Sequence, residues 1–334
     1  MKKSLIYLFS LLCMLTLVTS CSDDEKGGTD DTWKEISKDY TSDKLSIGTV
    51  STSGTISVNA ASADKATIIL NNVVAGESSV SVDATLTKTD AGYAFEGEST
   101  ATTCNVKVSG TIENGKLTAA ISRTLTSALA GTLNLNYVPY MNDMQIAQAH
   151  ARFNTGDAQM DAMLNGMAAP VVGQLIAKEV ESVTVNLGEE GTFSFSFKKV
   201  GASEETVMPP AKLQEMIKSY LTWYEKENVL YLAVHKDALT ILSGLNILPE
   251  NIDLETILGL LTVEGDYYTI PLQVKEEDGL TTIYLNKDIL VKVWEVAKPL
   301  VGNIQDETIQ SILAMVDQVM AKAKEIEFGL VFKK

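Results

Sequence analysis

The chain has 334 residues, of which 45% are hydrophobic, and it carries a formal net charge of −16 at pH 7. This length allows two domains with well-formed cores, and the hydrophobic content excludes an intrinsically disordered chain. The strong negative charge opposes binding to nucleic acid and to anionic membrane surfaces, so we expect no nucleic-acid partner.

Residues 1–20 have the pattern of a secretory signal peptide that ends in a lipobox. Two lysines follow Met1, an apolar run extends from Leu5 to Val18, and the small Ser20 precedes Cys21. The alternative is an uncleaved transmembrane anchor, but the run is shorter than the roughly 20 apolar residues that a spanning helix needs. We therefore expect cleavage after Ser20 and lipidation of the Cys21 thiol, which holds the protein to a bacterial membrane.

Residues 21–43 are acidic and linker-like in composition. Ser22 to Glu25 is similar to the acidic tether with which Bacteroides-type bacteria send lipoproteins to the outer face of the outer membrane. A plain solvated linker is the alternative interpretation. We expect a lipid-anchored protein of the outer membrane that faces the extracellular side.

Residues 44–138 predict an antiparallel β-sandwich or a barrel-like domain. They are rich in Thr, Ser, Val, Ala and Gly, and they contain short alternating runs such as Val80 and Val82. The sharpest signal is a hairpin from Val106–Ile112 to Leu117–Ile121, because the Asn114-Gly115 pair between them favours a type I′ turn. Regularly spaced short strands with turns between them are typical of sandwiches and barrels.

Residues 141–334 predict an α+β domain of hairpins and amphipathic helices. Met160 to Leu175 has helical spacing after an Asp157 cap, and Pro170 should bend or break that helix. Two hairpins are predicted further on, from Val183–Leu187 to Phe193–Phe197 and from Thr269–Val274 to Thr281–Leu285.

Four further helical regions and a closing strand complete this domain. Helices are predicted after Pro209-Pro210, within Leu239–Leu261, and in two amphipathic stretches that begin near Ile289 and Ile309. The alternating Ile326–Phe332 stretch predicts a final strand that inserts into a sheet. The predicted fold class is α+β, with an antiparallel β-rich N-terminal domain before the α+β domain.

No residue pattern predicts catalysis, a metal site or a cofactor. Cys104 is the one cysteine outside the signal peptide and lipobox, and it reads as a small buried hydrophobe in a strand. Ser62 and Lys65 match an SxxK pattern but lie in a β-rich stretch, where the two side chains are not one helical turn apart. We expect a non-enzymatic protein, with a carboxylate-dependent glycoside hydrolase as the alternative class.

Two sets of apolar residues are candidate binding sites. The adjacent aromatic pairs Trp223-Tyr224 and Tyr267-Tyr268 could stack on sugar rings, although Trp223 could equally be core. Methionine and phenylalanine faces could instead line a site for an apolar molecule, although a packed core explains them as well and is the interpretation we favour for the methionines. The residues of these two faces are Met160, Met163, Met167, Phe193, Phe195 and Phe197.

The lipobox, the acidic tether and the stretch Ala66–Glu77 resemble uncharacterised lipoproteins of gut Bacteroides. The resemblance implies a calycin-like or lipocalin-like β domain within residues 1–125, and it transfers no functional residue. Our leading expectation is a lipid-anchored binding or accessory protein whose ligand is a glycan. The alternative ligand is an apolar small molecule such as a lipid; the sequence identifies no protein partner.

Overall fold

The computed structural model describes residues 31–48, 50–141, 144–210, 213, 219–243, 258–301 and 307–334. The fold is mostly β, with largely antiparallel strands in two large sheets. The predicted β-rich first part is confirmed, whereas sheet also dominates the second part, so the α+β description holds only in part. The signal peptide, Cys21 and the acidic tether lie outside the described residues.

The first sheet has eight strands in the order β1-β3-β4-β5-β6-β7-β8-β2. Its strands are β1 (Lys38–Tyr40), β2 (Leu45–Ile47), β3 (Thr55–Ser62), β4 (Lys65–Asn71), β5 (Ser79–Lys88), β6 (Gly92–Thr100), β7 (Cys104–Glu113) and β8 (Lys116–Leu125). The hairpin between β7 and β8 is confirmed, and Asn114 and Gly115 both have positive φ, at 52° and 74°. These are the angles that a type I′ turn requires.

A single short segment nearly closes the first sheet into a barrel. β1 pairs with β3 at one edge of the sheet, and β2 pairs with β8 at the other. One 3₁₀ turn, Ser42–Lys44, joins β1 to β2, so the segment bridges the two edges. Closure of this kind leaves few free strand edges.

The barrel is filled by its own side chains. Every second residue of the long strands points inward, among them Ile56, Ile68, Val82, Phe95 and Val108, and each is 3% exposed or less. Cys104 is buried in the same core as a free thiol, as the sequence predicted. The interior is therefore a packed core and not an open ligand cavity.

The second sheet has eleven strands, and its main path is β15-β14-β13-β9-β21-β20-β19-β17-β16. Its strands are β9 (Gly131–Leu135), β12 (Ala149–Asn154), β13 (Val180–Leu187), β14 (Phe193–Lys199), β15 (Thr206–Met208), β16 (Leu221–Lys226), β17 (Val229–His235), β18 (Thr262–Glu264), β19 (Tyr267–Glu277), β20 (Leu280–Asn286) and β21 (Glu325–Lys333). A separate two-stranded sheet joins β10 (Tyr137–Pro139) to β11 (Gln145–Ala147). The predicted closing strand is confirmed as β21, which lies in the middle of the second sheet.

Five helices lie within the described residues. They are α1 (Thr32–Glu35), α2 (Ala158–Glu179), α3 (Lys236–Ser243), α4 (Lys287–Val301) and α5 (Glu307–Lys322). α4 packs on β20 and β21, and Leu290, Val319, Ala323 and Ile326 form a small core between these elements. The helix predicted after Pro210 and much of the Leu239–Leu261 prediction lie outside the described residues.

The predicted break at Pro170 is wrong, because α2 continues from Ala158 to Glu179. The proline removes one backbone donor, whose partner would be the carbonyl of Gly166 one turn earlier. Gly166 lies on the exposed side of the helix, where water can satisfy that carbonyl. Asp157 caps the helix as predicted, since its carboxylate accepts from the backbone N–H groups of Gln159 and Met160.

Candidate functional site

One side of the second sheet is apolar across most of its width. Directly paired residues in an antiparallel sheet point to the same side, so the register identifies this side strand by strand. We refer to it as the apolar face. Paired along it are Phe195 with Val185, Val185 with Leu133, Leu135 with Phe332, Leu330 with Ile283, Ile283 with Val274, and Leu272 with Leu230.

The apolar face is buried over much of its width, where Leu133, Leu230 and Phe332 belong to the same hydrophobic core as the barrel, and it is open at β14 and β19. Phe193 and Phe197 are half-buried, and Phe195 between them is 42% exposed. Ile270 on β19 is 36% exposed on the same face. All three predicted phenylalanines therefore share one side of the sheet, and one of them presents its ring to solvent.

Helix α2 presents a second exposed apolar surface. Met163, Met167, Val171 and Leu175 recur every fourth residue and are 48%, 59%, 46% and 57% exposed. We call these four residues the α2 stripe. The predicted interpretation of the methionines as core is wrong for Met163 and Met167, whereas Met160 is half-buried.

The packing of α2 explains why the stripe faces outward. A Cβ on Gly173 would lie 2.2 Å from the carbonyl oxygen of Ala147, so this side of the helix rests directly on the β11 backbone. Asn165 bonds to the backbone of Phe153 through both its amide oxygen and its amide nitrogen, at 2.7 and 3.0 Å. These contacts fix the rotation of the helix and turn the stripe away from the sheet.

Two residues of the α2 stripe, Val171 and Leu175, were not predicted as site residues, although the sequence pattern includes them. Val171 and Leu175 extend the methionine spacing by two further turns. No charged residue occurs between Asp161 and Lys178, so the helix has no charged face to turn toward water.

The predicted sugar platform at Trp223 and Tyr224 is not present, because both rings are fully buried. The Trp223 indole N–H donates to the carbonyl of Gly188 at 2.9 Å, and the Tyr224 ring stacks on Tyr231 with centroids 4.9 Å apart. The segment is strand β16, so alternation points Trp223 to the apolar face beside its paired Leu232 and Tyr224 to the opposite face, and both rings belong to the buried core.

Tyr267 and Tyr268 do not form one platform either. They are neighbours on strand β19, so their side chains point to opposite faces of the sheet. Tyr268 is on the apolar face. Tyr267, half-buried, lines a cleft on the other face.

This cleft lies between the barrel and the second sheet and has a volume of about 720 Å³. Its walls include the loop after β2, the end of β8, the β13–β14 turn and the starts of β16 and β19. Arg123 lines the cleft from an inward-facing position of β8, and we did not select it from the sequence. The available signal was a charged arginine at a position where the alternation of the strand predicts an inward-pointing, apolar side chain.

The titratable groups around the cleft are held by specific partners. Burial lowers the pKa of His235, whose Nδ1 accepts from the backbone N–H of Asp237 at 3.2 Å. Burial acts to raise the pKa of Asp266, but hydrogen bonds from Lys236 and Ser53 outweigh it and lower this pKa overall. Ser51 similarly donates to Asp237 through its backbone and its hydroxyl, both at 2.8 Å, and the pKa of Asp237 is also lowered.

The two aspartates offer no general acid. Acid catalysis by a carboxyl group at neutral pH requires a raised pKa, and both carboxylates are shifted the other way. Ser62 and Lys65 flank a tight β3–β4 turn in which the Ser62 hydroxyl donates to Asp64, so they do not form a serine–lysine pair. Among the described residues, no group of three or more His, Cys, Asp or Glu side chains could hold a metal ion.

No family model, curated protein or solved structure matches this chain. Within the described residues, no helix combines the length and the apolar character needed to cross a bilayer.

Proposed function

We propose that the protein binds an apolar ligand of the acyl-chain lipid class along the α2 stripe. The observation that carries this proposal is the α2 stripe, four long apolar side chains that are each about half exposed. The protein acts as a binding or accessory protein without catalysis. A lipid on Cys21 anchors it to the outer membrane, facing outward.

The energetics favour an occupant for these surfaces. Burying apolar area contributes roughly 25 cal/mol per Å², and contiguous exposed apolar patches of several hundred Å² mark binding sites. α2 continues directly into β13, whose Val183 and Val185 pair with Phe197 and Phe195. The exposed ring of Phe195 belongs to this hairpin, so it is a separate apolar surface from the α2 stripe, which faces away from the sheet.

The shape and softness of the stripe favour a linear, flexible ligand. From Met163 to Leu175 the helix rises about 18 Å, a length that suits an extended chain better than a compact ring system. Methionine side chains are unbranched and polarizable, so they adapt to ligands of variable shape. The net charge of −16 disfavours ligands with strongly anionic head groups.

A fluorescent apolar probe tests the proposal. We expect the neutral probe N-phenyl-1-naphthylamine to gain fluorescence when titrated with the protein, and monoolein to displace it. Met167→Glu and Val171→Glu should each weaken binding by about tenfold or more, because a carboxylate buried against an acyl chain is strongly unfavourable.

Val207→Glu is the matched control. Val207 is 45% exposed, close to the 46% of Val171, and it lies on strand β15 outside the α2 stripe. This variant should leave the affinity within about twofold of the wild type. Equal losses in all three variants, or no displacement by monoolein, would count against an acyl-chain site.

The anchor is tested separately. Cys21→Ala should release the protein from membranes or stall its processing, and surface proteolysis of intact cells should digest the wild-type protein. Unchanged membrane retention of a normally cleaved Cys21→Ala protein would refute lipidation.

A further inference from the structure

The cleft is on the face of the second sheet that the proposed apolar ligand does not use. Thr222, His235 and Tyr267 line it, and by the strand register they point away from the apolar face. A ligand in the cleft would therefore bind independently of the proposed function, and its volume lies within the range of ordinary small-molecule sites.

Arg123 enters the cleft as a half-buried cation with neutral partners. Its guanidinium donates to the backbone oxygens of Ala75 and Trp223, at 2.9 and 3.2 Å, and to the hydroxyl of Thr222. Among the described residues, no carboxylate forms an ion pair with it. A partly desolvated charge without a counter-ion is costly, and a ligand oxyanion would offset that cost.

The carboxylates near Arg123 are engaged by other partners. The charge of Glu77 acts on Arg123, but this carboxylate accepts from the backbone N–H and the hydroxyl of Thr103, at 2.6 and 2.8 Å. The Asp266 carboxylate is taken up by the Lys236 ammonium and by the backbone and hydroxyl of Ser53. Glu190 and Lys107 line the cleft as well, with opposite charges. In a chain with a net charge of −16, this leaves Arg123 as a local site of positive potential.

The remaining lining suits a hydroxyl-rich ring. One face of the cleft carries the half-buried ring of Tyr267, and aromatic rings pack well against the apolar face of a sugar. The hydroxyl side chains of the lining can exchange hydrogen bonds with sugar hydroxyls. They are Ser122, Thr124, Thr192 and Ser219.

We propose that the cleft binds an acidic sugar, with the carboxylate of a uronate-type residue on Arg123 and the sugar ring against Tyr267. The hydroxyl-bearing side chains of the cleft supply the polar contacts around the ring. The site is a second binding site and involves no covalent step.

Glucuronate and glucose form a matched pair of probes, because they differ only by the carboxylate in place of a hydroxymethyl group. Titrations of the soluble chain starting near Gly27, followed by calorimetry or by ligand-observed NMR, should show millimolar or tighter binding of glucuronate. Glucose should bind at least tenfold more weakly, as expected for the loss of a charge-assisted hydrogen bond. Added salt should weaken glucuronate binding but not glucose binding.

Two variants locate the site. Arg123→Met should weaken glucuronate binding about tenfold or more, whereas Arg123→Lys should retain part of the affinity. Because Arg123 also holds neighbouring backbone, a fold-neutral second variant is needed. Ser122→Glu places a like charge on the exposed cleft wall and should weaken binding about threefold.

Ser81→Glu is the control for Ser122→Glu, since Ser81 is an exposed serine on β5 outside the cleft lining. We expect this variant to bind glucuronate like the wild type. Three outcomes would each overturn the assignment. Glucose and glucuronate could bind equally well, glucuronate could fail to bind at about 10 mM, or the two serine variants could have equal effects on binding. None of these outcomes bears on the apolar ligand.

Discussion

Trp223 joins three parts of the molecule through its own atoms. Its indole N–H donates to Gly188, its backbone N–H donates to Gly191 at 3.0 Å, and its carbonyl accepts from Arg123. The β13–β14 turn, the end of the barrel and the second sheet therefore meet at one buried ring. A tryptophan in this position stabilises the fold and is not available to a ligand.

Replacing Trp223 with Phe should destabilise the protein by about 2 kcal/mol, because the smaller ring leaves a void and the Gly188 carbonyl loses its donor. Trp294→Phe is the control, since that indole is only half-buried and donates to the partly exposed Asp317. We expect it to cost about 1 kcal/mol or less. Urea unfolding followed by far-UV circular dichroism measures both, and a larger loss for Trp294→Phe would contradict this account.

At the scale of the element, helix α2 has one close-packed side and one open side. Gly173 lies on the close-packed side and Gly166 on the open side. Gly166 has no heavy atom within 4 Å of the position of an added Cβ, whereas the Cβ of Gly173 would meet the backbone of Ala147. The same substitution should therefore have opposite effects at positions seven residues apart in one helix.

Gly166→Ala should stabilise the protein by about 0.5–1 kcal/mol, because alanine has the higher helix propensity and meets no neighbour. Gly173→Ala should destabilise it by about 1–3 kcal/mol, because α2 must move away from β11. Thermal and urea unfolding of the two variants measure these signs. A stabilising effect of Gly173→Ala would show that α2 does not rest on β11 as described.

Local chemistry in the sequence predicts elements of this fold well, and contacts between distant elements poorly. The β7–β8 hairpin follows from Asn114-Gly115. The β19–β20 hairpin was expected to turn between Val274 and Thr281, and its strands extend further, to a two-residue turn at Asp278-Gly279. The exposure of Met163 depends on the rotation of α2, which Gly173 and Asn165 set against strands outside the helix. No spacing within α2 contains that information.

The same limit applies to the sites. The cleft brings together Arg123 on β8, Thr222 on β16 and Tyr267 on β19, which are far apart in the chain and belong to two different sheets. Sequence reasoning identified Tyr267 as an aromatic candidate but paired it with Tyr268. Alternation along a single strand separates the two rings, and this rule was already available from the sequence.

At the scale of the whole molecule, the loop between β2 and β3 fastens the barrel to the second sheet. Ser51 bonds to Asp237 at the start of α3, and Ser53 bonds to Asp266 just before β19. Lys236 adds an ion pair to the nearly buried Asp266. Because both aspartates accept from the barrel loop, their ionisation is coupled to the docking of the two sheets.

This coupling predicts an acid-sensitive connection between the sheets. The pKa of Asp266 is lower in the folded protein than its ordinary value, so the folded state binds a proton at this carboxylate less readily than the unfolded chain. Its contribution to stability is thus complete above the unfolded pKa of about 3.9 and is lost as the pH falls through the lower folded pKa. Asp266→Asn should cost about 2 kcal/mol at pH 7, since it removes a charged acceptor of the Ser53 and Lys236 hydrogen bonds.

The difference in unfolding free energy between the wild type and Asp266→Asn should shrink as the pH is lowered from 7 to 3. The pKa of Asp64 is lowered as well, chiefly by the Ser62 hydroxyl, but this carboxylate is on the exposed β3–β4 turn. Asp64→Asn should therefore show little change in stability at any pH. Urea unfolding at several pH values measures the stability of both variants. If the loss of unfolding free energy in Asp266→Asn stays constant down to pH 3, the Asp266 carboxylate does not cause the acid sensitivity of the fold.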